Sequence, residues 1–206
     1  TVNDRLLKAS AEAPARPTAR FRSPASAQAQ SSAARALSSS GAVRRMYASR
    51  NFYPDANSTM RLSFGTVCGY APFDGAEYDY YTTAKGILEK VRAHAGDVDF
   101  EVQPELLSLL SSGDFGRYAD EKGEMNVCFI SNNDITGGNS GSAMFNAKGE
   151  LLGLAFDGNW EAMSSDILYE PKMQRTIGVD VRYILFMIEK YGKAGNLIQE
   201  LKLANP

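Results

Sequence analysis

The stretch Thr136-Gly137-Gly138-Asn139-Ser140-Gly141-Ser142 places one serine among residues that let the backbone turn sharply. A serine hydroxyl is a weak nucleophile at neutral pH, so catalysis needs a neighbouring base and donors that stabilise an oxyanion. Gly138 and Gly141 can adopt backbone angles closed to other residues, which lets the amides of Gly138 and Ser140 converge on one point. Ser140 is therefore a candidate nucleophile and Gly138 a candidate oxyanion donor. Alone, the motif is more typical of an ordinary turn.

The residues after this serine predict a β-hairpin. Ser142-Ala143-Met144-Phe145 is typical of a short strand, Asn146-Ala147-Lys148-Gly149 of a turn, and residues 150–156 of a second strand. The second strand ends at Phe156-Asp157-Gly158-Asn159-Trp160. This order resembles chymotrypsin-like proteases, in which the returning strand forms one wall of the pocket for the substrate side chain before the cut bond.

Four runs resemble the C-terminal part of serine peptidase family 46, which comprises bacterial dipeptidyl-peptidases of the kinds called seven and eleven. They are FYPDANSTMRL at 52–62, TGGNSGS at 136–142, GLAFDGNWEAMS at 153–164 and QRTI at 174–177. The resemblance extends from about Val43 to the end of the chain. It has two small departures, Ala143 where the family usually has proline and Ser165 where it usually has glycine.

The resemblance implies an aminopeptidase that releases dipeptides from the free N-terminus of oligopeptide substrates. The implied fold is a chymotrypsin-like double β-barrel with an added helical domain, and the implied catalytic set is His, Asp and Ser. Only the serine falls within the matching region, as Ser140. We therefore expect a missing N-terminal barrel to carry the other two residues. The resemblance also implies a periplasmic or secreted location, and it leaves a homodimer open.

The resemblance assigns substrate-binding roles to two residues at the end of the returning strand. Asp157 is implied to bind the substrate's N-terminal ammonium through a charge-assisted hydrogen bond, although a turn aspartate is the alternative. Gly158 is implied to line the side-chain pocket. Members that prefer acidic side chains before the cut have arginine here, and those that prefer apolar side chains have glycine. We expect an apolar preference at the penultimate residue.

Length and composition are those of one ordinary globular domain with an appendage. The chain has 206 residues, 44% of them hydrophobic and 22% charged, with a formal net charge of −2. Nothing indicates nucleic-acid binding, and no apolar run is long enough for membrane insertion. Since neither two barrels nor a signal peptide is present, we expect a truncated chain. We expect a low-complexity part at 1–45, the C-terminal barrel with helical insertions at 46–180, and a helical segment at 181–206.

The predicted fold class is mostly β with helices, as the C-terminal barrel of a chymotrypsin-like protease plus a C-terminal helix. Alternating residues predict a half-buried strand at 60–67 and another edge at 78–81. Helical spacing occurs at 83–91 and 104–110, and at 181–203 it predicts two helices or one broken helix packed on the barrel. Low-complexity composition at 13–42 predicts disorder or loose helix. Asp55 and Asn57 are candidate site residues, with a turn role favoured.

The histidine and the cysteines suggest no further chemistry. His94, the sole histidine, lies in a polar stretch unlike the family's histidine motif, so we expect an exposed loop residue and not the base. Cys68 and Cys128 are either a disulfide or two unpaired buried thiols. Their spacing does not fit a metal site, so we predict no metal and no cofactor.

Three functional hypotheses follow. The first is a piece of a serine dipeptidyl-peptidase, and the second is an endopeptidase or pseudo-protease of the same fold. The third is a non-catalytic peptide-binding module, which the isolated chain would be because its base is missing. We expect the isolated chain to be inactive.

Overall fold

A five-stranded antiparallel sheet forms the centre of the computed structural model, with strand order β1-β2-β5-β4-β3. The structure describes residues 45–46, 48–49, 60–165 and 169–204, the side chain of residue 164 excepted. The strands are β1 (Tyr81–Thr83), β2 (Asn126–Ser131), β3 (Ala143–Phe145), β4 (Leu151–Gly158) and β5 (Thr176–Asp180). Helices accompany the sheet, so the predicted combination of strands and helices is confirmed.

The predicted hairpin after the serine motif is confirmed as β3 and β4, which pair antiparallel. Asn146 closes the turn, because its side-chain oxygen accepts hydrogen bonds from the amides of Lys148 (2.9 Å) and Glu150 (3.0 Å). Gly149 has φ 75°, a left-handed conformation that glycine adopts without steric cost. Turn chemistry readable in the sequence therefore sets this hairpin.

The hydrophobic core lies between two helices predicted from their spacing, α1 (Ala84–Ala93) and α2 (Pro104–Ser112), and the helical segment that contains Phe186. Proline at the first position of α2 and Gly113, with φ 69°, at its end are favourable boundary residues. The buried cluster consists of Ala84, Leu110, Phe115, Tyr118, Met125 and Phe186. A fully buried side chain the size of Phe186 contributes about 1.5–3 kcal/mol relative to an exposed one.

The chain ends in a broken helix, as predicted. α3 (Val181–Phe186) continues into a π-helical turn (Met187–Tyr191), and α4 (Gly195–Gln199) follows. Asp180 caps α3, because its carboxylate accepts a hydrogen bond from the amide of Arg182 (2.8 Å). Phe186 and Ile198 are buried, so this segment packs on the body of the domain.

The strand predicted at 60–67 is wrong. Only Val67 forms a bridge, to Ser131 at the end of β2, and residues 60–66 are in no regular element. The second predicted edge is partly confirmed, because β1 begins at Tyr81 and Tyr78 forms a bridge with Tyr70.

Polar and apolar side chains alternate at 60–64, and it is the polar side chains that contact the rest of the protein. Arg61 and Ser63 face the loop after β2, whereas Met60, Leu62 and Phe64 are 100%, 90% and 88% exposed. The physical reason is that this loop offers hydroxyl and carbonyl acceptors, which match the polar face.

Two predictions lie outside the described residues: the low-complexity composition at 13–42, and the turn roles of Asp55 and Asn57. Over the ranges that the structure does describe, no helix is both long enough and apolar enough to cross a bilayer.

Candidate active site

Ser140 is exposed in the loop that joins β2 to β3. The loop uses left-handed backbone angles on both sides of the serine, with φ 103° at Gly138 and 82° at Gly141. A Cβ at Gly141 would meet no atom within 4 Å. Glycine is therefore required there by the backbone angle and not by crowding.

The amides predicted to hold an oxyanion are among those that the loop leaves available. Among the described residues, the amides of Gly138 and Ser140 have no hydrogen-bond acceptor. Three amides next to them donate to backbone carbonyls: Asn139 to Thr136 (3.1 Å), Gly141 to Ala155 (2.7 Å) and Ser142 to Asn139 (2.9 Å). A loop held in this way presents two donors beside an exposed hydroxyl without the cost of breaking an internal bond.

A side-chain clasp fixes the start of the serine loop. The side-chain oxygen of Asn139 accepts a hydrogen bond from the amide of Thr136 (3.0 Å). Thr136 is buried, and its hydroxyl oxygen accepts a hydrogen bond from the guanidinium of Arg61 (2.7 Å). Arg61 could not be predicted as a support of this loop, because it is 75 residues away and no local pattern links it to the loop.

We expect Thr136→Val to loosen the serine loop. The substitution keeps the side-chain shape and removes the acceptor of the Arg61 hydrogen bond, which costs about 1 kcal/mol locally. Amide hydrogen exchange of Asn139 and Ser142, whose amides donate hydrogen bonds within the loop, is measured by NMR on the 206-residue chain and is expected to become several-fold faster. Thr136→Ser keeps the hydroxyl and serves as the control. Equal exchange in the valine and serine variants would contradict the role given to this hydrogen bond.

The end of β4 lies beside the serine loop, because the amide of Gly141 donates to Ala155. A register shift between Ala155 and Asp157 interrupts the pairing of β4 with β5. The irregularity breaks the alternation of faces, so that Phe156 and Asp157 are both exposed. Such bulges are frequent next to binding sites, where they re-aim side chains.

The Asp157 carboxylate is turned toward solvent at this strand end. One of its oxygens accepts a hydrogen bond from the amide of Gly158 (2.8 Å). Its second oxygen has no partner within the described part of the chain, so it is available to a cationic group. Structure and sequence thus agree that Asp157 lies at the end of the strand that borders the serine loop.

Close packing explains why position 158 is a glycine. A Cβ at Gly158 would lie 2.8 Å from the Cβ of Ala162 and 3.8 Å from the carbonyl oxygen of Arg175. Ala162 belongs to the short 3₁₀ helix Trp160–Ser164, which folds back over the strand end. Any side chain at position 158 therefore requires this turn to shift.

Asn159 joins the strand end to the start of β5. Its amide donates to the carbonyl of Arg175 (2.9 Å), and its side-chain oxygen accepts from the amide of Arg175 (2.8 Å). Its side-chain nitrogen donates to the Met173 carbonyl and to the Glu161 carboxylate, both at 2.8 Å. No role was predicted for Asn159 from the sequence, although an asparagine directly after a strand is a recognisable turn signal.

Arg175 is a buried cation beneath this strand end. Its guanidinium lies 5.4 Å from the centre of the Tyr70 ring, and the hydroxyl of Tyr70 donates to Glu161 (2.9 Å). Burial raises the pKa of Tyr70, and the bond to Glu161 raises it further, so this hydroxyl is a donor at neutral pH. The guanidinium also donates to the backbone carbonyls of Gly69, Pro171, Lys172 and Gln174. These bonds offset the cost of burying the charge.

The prediction that His94 is an exposed residue is confirmed. His94 follows the last residue of α1, and its ring stacks on Phe100 with centroids 4.0 Å apart. Cys68 and Cys128 are unpaired, which leaves the alternative of free thiols. Burial raises the pKa of the Cys128 thiol, so it stays protonated at neutral pH.

No cluster of three or more His, Cys, Asp or Glu side chains within the described ranges could hold a metal ion.

Comparison with curated proteins finds dipeptidyl-peptidases. Dipeptidyl-peptidase 7 of Porphyromonas gingivalis is 56% identical over 161 residues, which are 78% of this chain and 22% of the relative. Dipeptidyl-peptidase 7 of Porphyromonas endodontalis is 58% identical over 162 residues, covering 79% of this chain and 19% of the relative. An Asp/Glu-specific dipeptidyl-peptidase of Capnocytophaga gingivalis is 48% identical over 155 residues, covering 75% and 22%. The chain spans about a fifth of the length of these relatives.

Solved structures of DPP11 also match this chain. DPP11 of Porphyromonas endodontalis in complex with the dipeptide Arg-Glu matches with a TM-score of 0.68 and 41% identity, over 78% of this chain and 23% of that chain. The complex of the same protein with Arg-Asp matches with a TM-score of 0.70 and 40% identity, over 81% and 24%.

The family model described as Peptidase S46 matches residues 2–203. The match begins upstream of Val43, so the family relationship extends further toward the N-terminus than the four runs indicated. Together with the identities of 48–58% to the curated relatives, this match shows that the chain belongs to peptidase family S46.

Proposed function

We propose that this chain is the serine-bearing part of a serine dipeptidyl aminopeptidase, a hydrolase that releases dipeptides from the free N-terminus of oligopeptides. The observation that carries the proposal is the exposed Ser140, flanked by the amides of Gly138 and Ser140 that no described residue occupies. The names of the relatives, dipeptidyl-peptidase 7 and Asp/Glu-specific dipeptidyl-peptidase, support the reaction class.

Ser140 attacks the carbonyl carbon of the second substrate residue, and a base takes the proton of its hydroxyl. The carbonyl oxygen becomes an oxyanion, which the amides of Gly138 and Ser140 stabilise. The protonated base gives its proton to the amide nitrogen as the tetrahedral intermediate collapses, which releases the shortened peptide as an amine. The base then takes a proton from water, which hydrolyses the dipeptidyl ester and frees the Ser140 hydroxyl. The base comes from an N-terminal barrel like the one implied for the family, so that the sheet described here belongs to the C-terminal barrel of a chymotrypsin-like double β-barrel. The isolated chain is inactive for this reason.

Asp157 makes the enzyme an exopeptidase. Its outward carboxylate oxygen forms a charge-assisted hydrogen bond with the N-terminal ammonium of the substrate, which an internal peptide bond lacks. Because Asp157 lies two residues beyond Ala155, which contacts the serine loop, the ammonium and the cut bond are held at a fixed separation. This separation sets the cut after the second residue.

Gly158 sets the preference for the side chain before the cut. Position 158 itself carries no charged side chain, and the methyl group of Ala162 lies where a side chain at this position would begin. A substrate carboxylate would lose its water there without gaining a partner. An apolar side chain at the penultimate position is therefore favoured over aspartate or glutamate.

The role of Asp157 is tested in a composite enzyme, in which residues 43–206 follow the part of P. gingivalis dipeptidyl-peptidase 7 that precedes its matched segment. We expect Asp157→Asn to lower kcat/KM for a free-amino substrate by about 100-fold, because a charged partner of the ammonium is removed. The N-acetylated substrate is the control, and its already slow hydrolysis is expected to be unchanged. An equal loss on both substrates would remove Asp157 from ammonium recognition.

A non-catalytic peptide-binding module is the second candidate, favoured by the single histidine of the chain. Such a module would bind peptides with a free N-terminus through Asp157, and Ser140 would have no chemical role. An endopeptidase of the same fold would cleave N-acetylated and free-amino substrates equally well. A pseudo-protease would leave the composite enzyme inactive. The proposal includes a periplasmic or secreted location and a homodimer, and the family resemblance is the sole support for both.

A further inference from the structure

The turn after β4 is held by a carboxylate that two other side chains contact. Glu161 lies in the 3₁₀ helix Trp160–Ser164, which folds back over the strand end. One of its oxygens accepts hydrogen bonds from the hydroxyl of Tyr70 (2.9 Å) and from the side-chain nitrogen of Asn159 (2.8 Å). Tyr70, Asn159 and Glu161 are here called the carboxylate clamp. Tyr70 and Glu161 are 91 residues apart in sequence, so the fold brings them together.

Both donors of the clamp are themselves anchored to buried groups. Asn159 is buried, and its amide and side-chain oxygen pair with the carbonyl and the amide of Arg175. The Tyr70 ring lies 5.4 Å from the buried Arg175 guanidinium, which also donates to the carbonyl of the preceding residue, Gly69 (2.9 Å). The turn that carries Glu161 is therefore tied to the domain on two sides, and moving it breaks at least one of the two hydrogen bonds.

The clamp adjoins the two residues proposed to bind the substrate. Ala162 follows Glu161 directly, and its Cβ lies 2.8 Å from the place where a Cβ on Gly158 would be. The amide of Ala162 donates to the carbonyl of Asn159 (2.9 Å), which closes the turn. The amide of Gly158 in turn donates to the Asp157 carboxylate (2.8 Å). A turn that shifts would let Gly158 move, and with it the amide that orients Asp157.

We propose that Glu161 is a positioning residue for recognition of the substrate's N-terminal ammonium. Its carboxylate holds the turn, the turn holds Gly158, and the amide of Gly158 orients Asp157. The role requires an acceptor oxygen at position 161 and not a charge, because both donors to it are neutral groups. The inference rests on the proposed function of Asp157, whereas the hold of Glu161 on the turn does not.

The first test compares Glu161→Ala with Glu161→Gln in the composite enzyme. Alanine loses both hydrogen bonds, so KM for a free-amino substrate is expected to rise about 10-fold, with kcat within about threefold of the wild type, because ammonium binding acts in the ground state and the transition state alike. Glutamine keeps an acceptor oxygen of the same reach, and its KM is expected to stay within about threefold of the wild type. An equal rise in both variants would mean that the charge of Glu161 acts directly, which overturns the positioning role.

A second background shows whether Glu161 acts through Asp157. When Asp157→Asn has already removed the partner of the ammonium, Glu161→Ala is expected to change kcat/KM by less than about threefold more. A full further loss in that background would contradict the proposal, because Glu161 would then act independently of Asp157.

Glu189→Ala is the matched control. Glu189 also accepts a hydrogen bond from a tyrosine hydroxyl, that of Tyr118, but it lies in the π-helical turn Met187–Tyr191. Its KM is expected to equal that of the wild type, even where its melting temperature falls as much as that of Glu161→Ala. A KM that rises equally in the two alanine variants would reduce the effect of Glu161 to lost stability.

Amide hydrogen exchange in the isolated 206-residue chain tests the hold on the turn without any activity. Exchange of the Ala162 amide, which donates to Asn159, is expected to become several-fold faster in Glu161→Ala and to stay unchanged in Glu161→Gln and Glu189→Ala. Unchanged exchange in Glu161→Ala would overturn the proposal even if KM rises. A wild-type composite enzyme that releases no dipeptides would instead refute the proposed function, and the exchange rates would still show whether Glu161 holds the turn.

Discussion

In the composite enzyme, Ser140→Ala is expected to lower kcat for dipeptide release by about 10⁶-fold. The variant keeps the loop and its two amides but removes the atom that attacks the carbonyl. Substrate binding is expected to change little, because the exposed hydroxyl makes no hydrogen bond to any described residue. Chromatography of released dipeptides gives kcat, and calorimetry with an uncleaved peptide gives the affinity.

Ser142→Ala is the matched control for Ser140. Ser142 is an exposed serine of the same loop, and the structure shows only backbone bonds for it. The control is expected to keep at least a third of wild-type kcat, since surface substitutions of this kind have small effects. Comparable losses in the two variants would mean that the loop as a whole, and not the Ser140 hydroxyl, is what the reaction requires.

Gly158→Arg in the composite enzyme is expected to reverse the preference for the residue before the cut. The guanidinium would pair with a substrate carboxylate at a site that now presents no charge, and a desolvated pair of this kind contributes several kcal/mol. We expect the rate ratio of a penultimate glutamate to a penultimate leucine substrate to rise by about 100-fold or more. Both values of kcat/KM are measured on the same peptide series.

Gly158→Ala separates charge from crowding in this experiment. Both substitutions add the Cβ that would lie 2.8 Å from Ala162, so both disturb the same turn. Only arginine adds a cation. The alanine variant is expected to lose rate on both substrates with little change in their ratio. An unchanged ratio in the arginine variant would remove Gly158 from specificity.

The parts of the fold set by local chemistry were predictable from the sequence. The hairpin β3–β4 follows from turn residues at Asn146 and Gly149, and α2 begins at a proline and ends at a left-handed glycine. The segment at 60–67 was predicted incorrectly, because alternation shows that two faces differ but not which face contacts the protein. Its partner is the polar loop after β2, about 70 residues away in sequence.

The same division applies to the candidate site. Ser140 and its glycines stand in one short run, so their local geometry could be inferred from residue types. Asp157 and Gly158 acquired roles only through the family resemblance. The supports of the site, Arg61 beneath the serine loop and Arg175 beneath the strand end, depend on contacts 75 and 106 residues apart in sequence. No local pattern encodes such contacts.

Covalent labelling by a fluorophosphonate, which reacts with serines that a base has activated, shows directly whether Ser140 is a nucleophile whose base lies outside the 206-residue chain. We expect stoichiometric labelling at Ser140 in the composite enzyme, found by peptide mass spectrometry, and none in the isolated 206-residue chain. Labelling of the isolated chain at Ser140 would contradict the claim that the base lies elsewhere. Failure to label the folded composite enzyme would contradict the claim that Ser140 is the nucleophile.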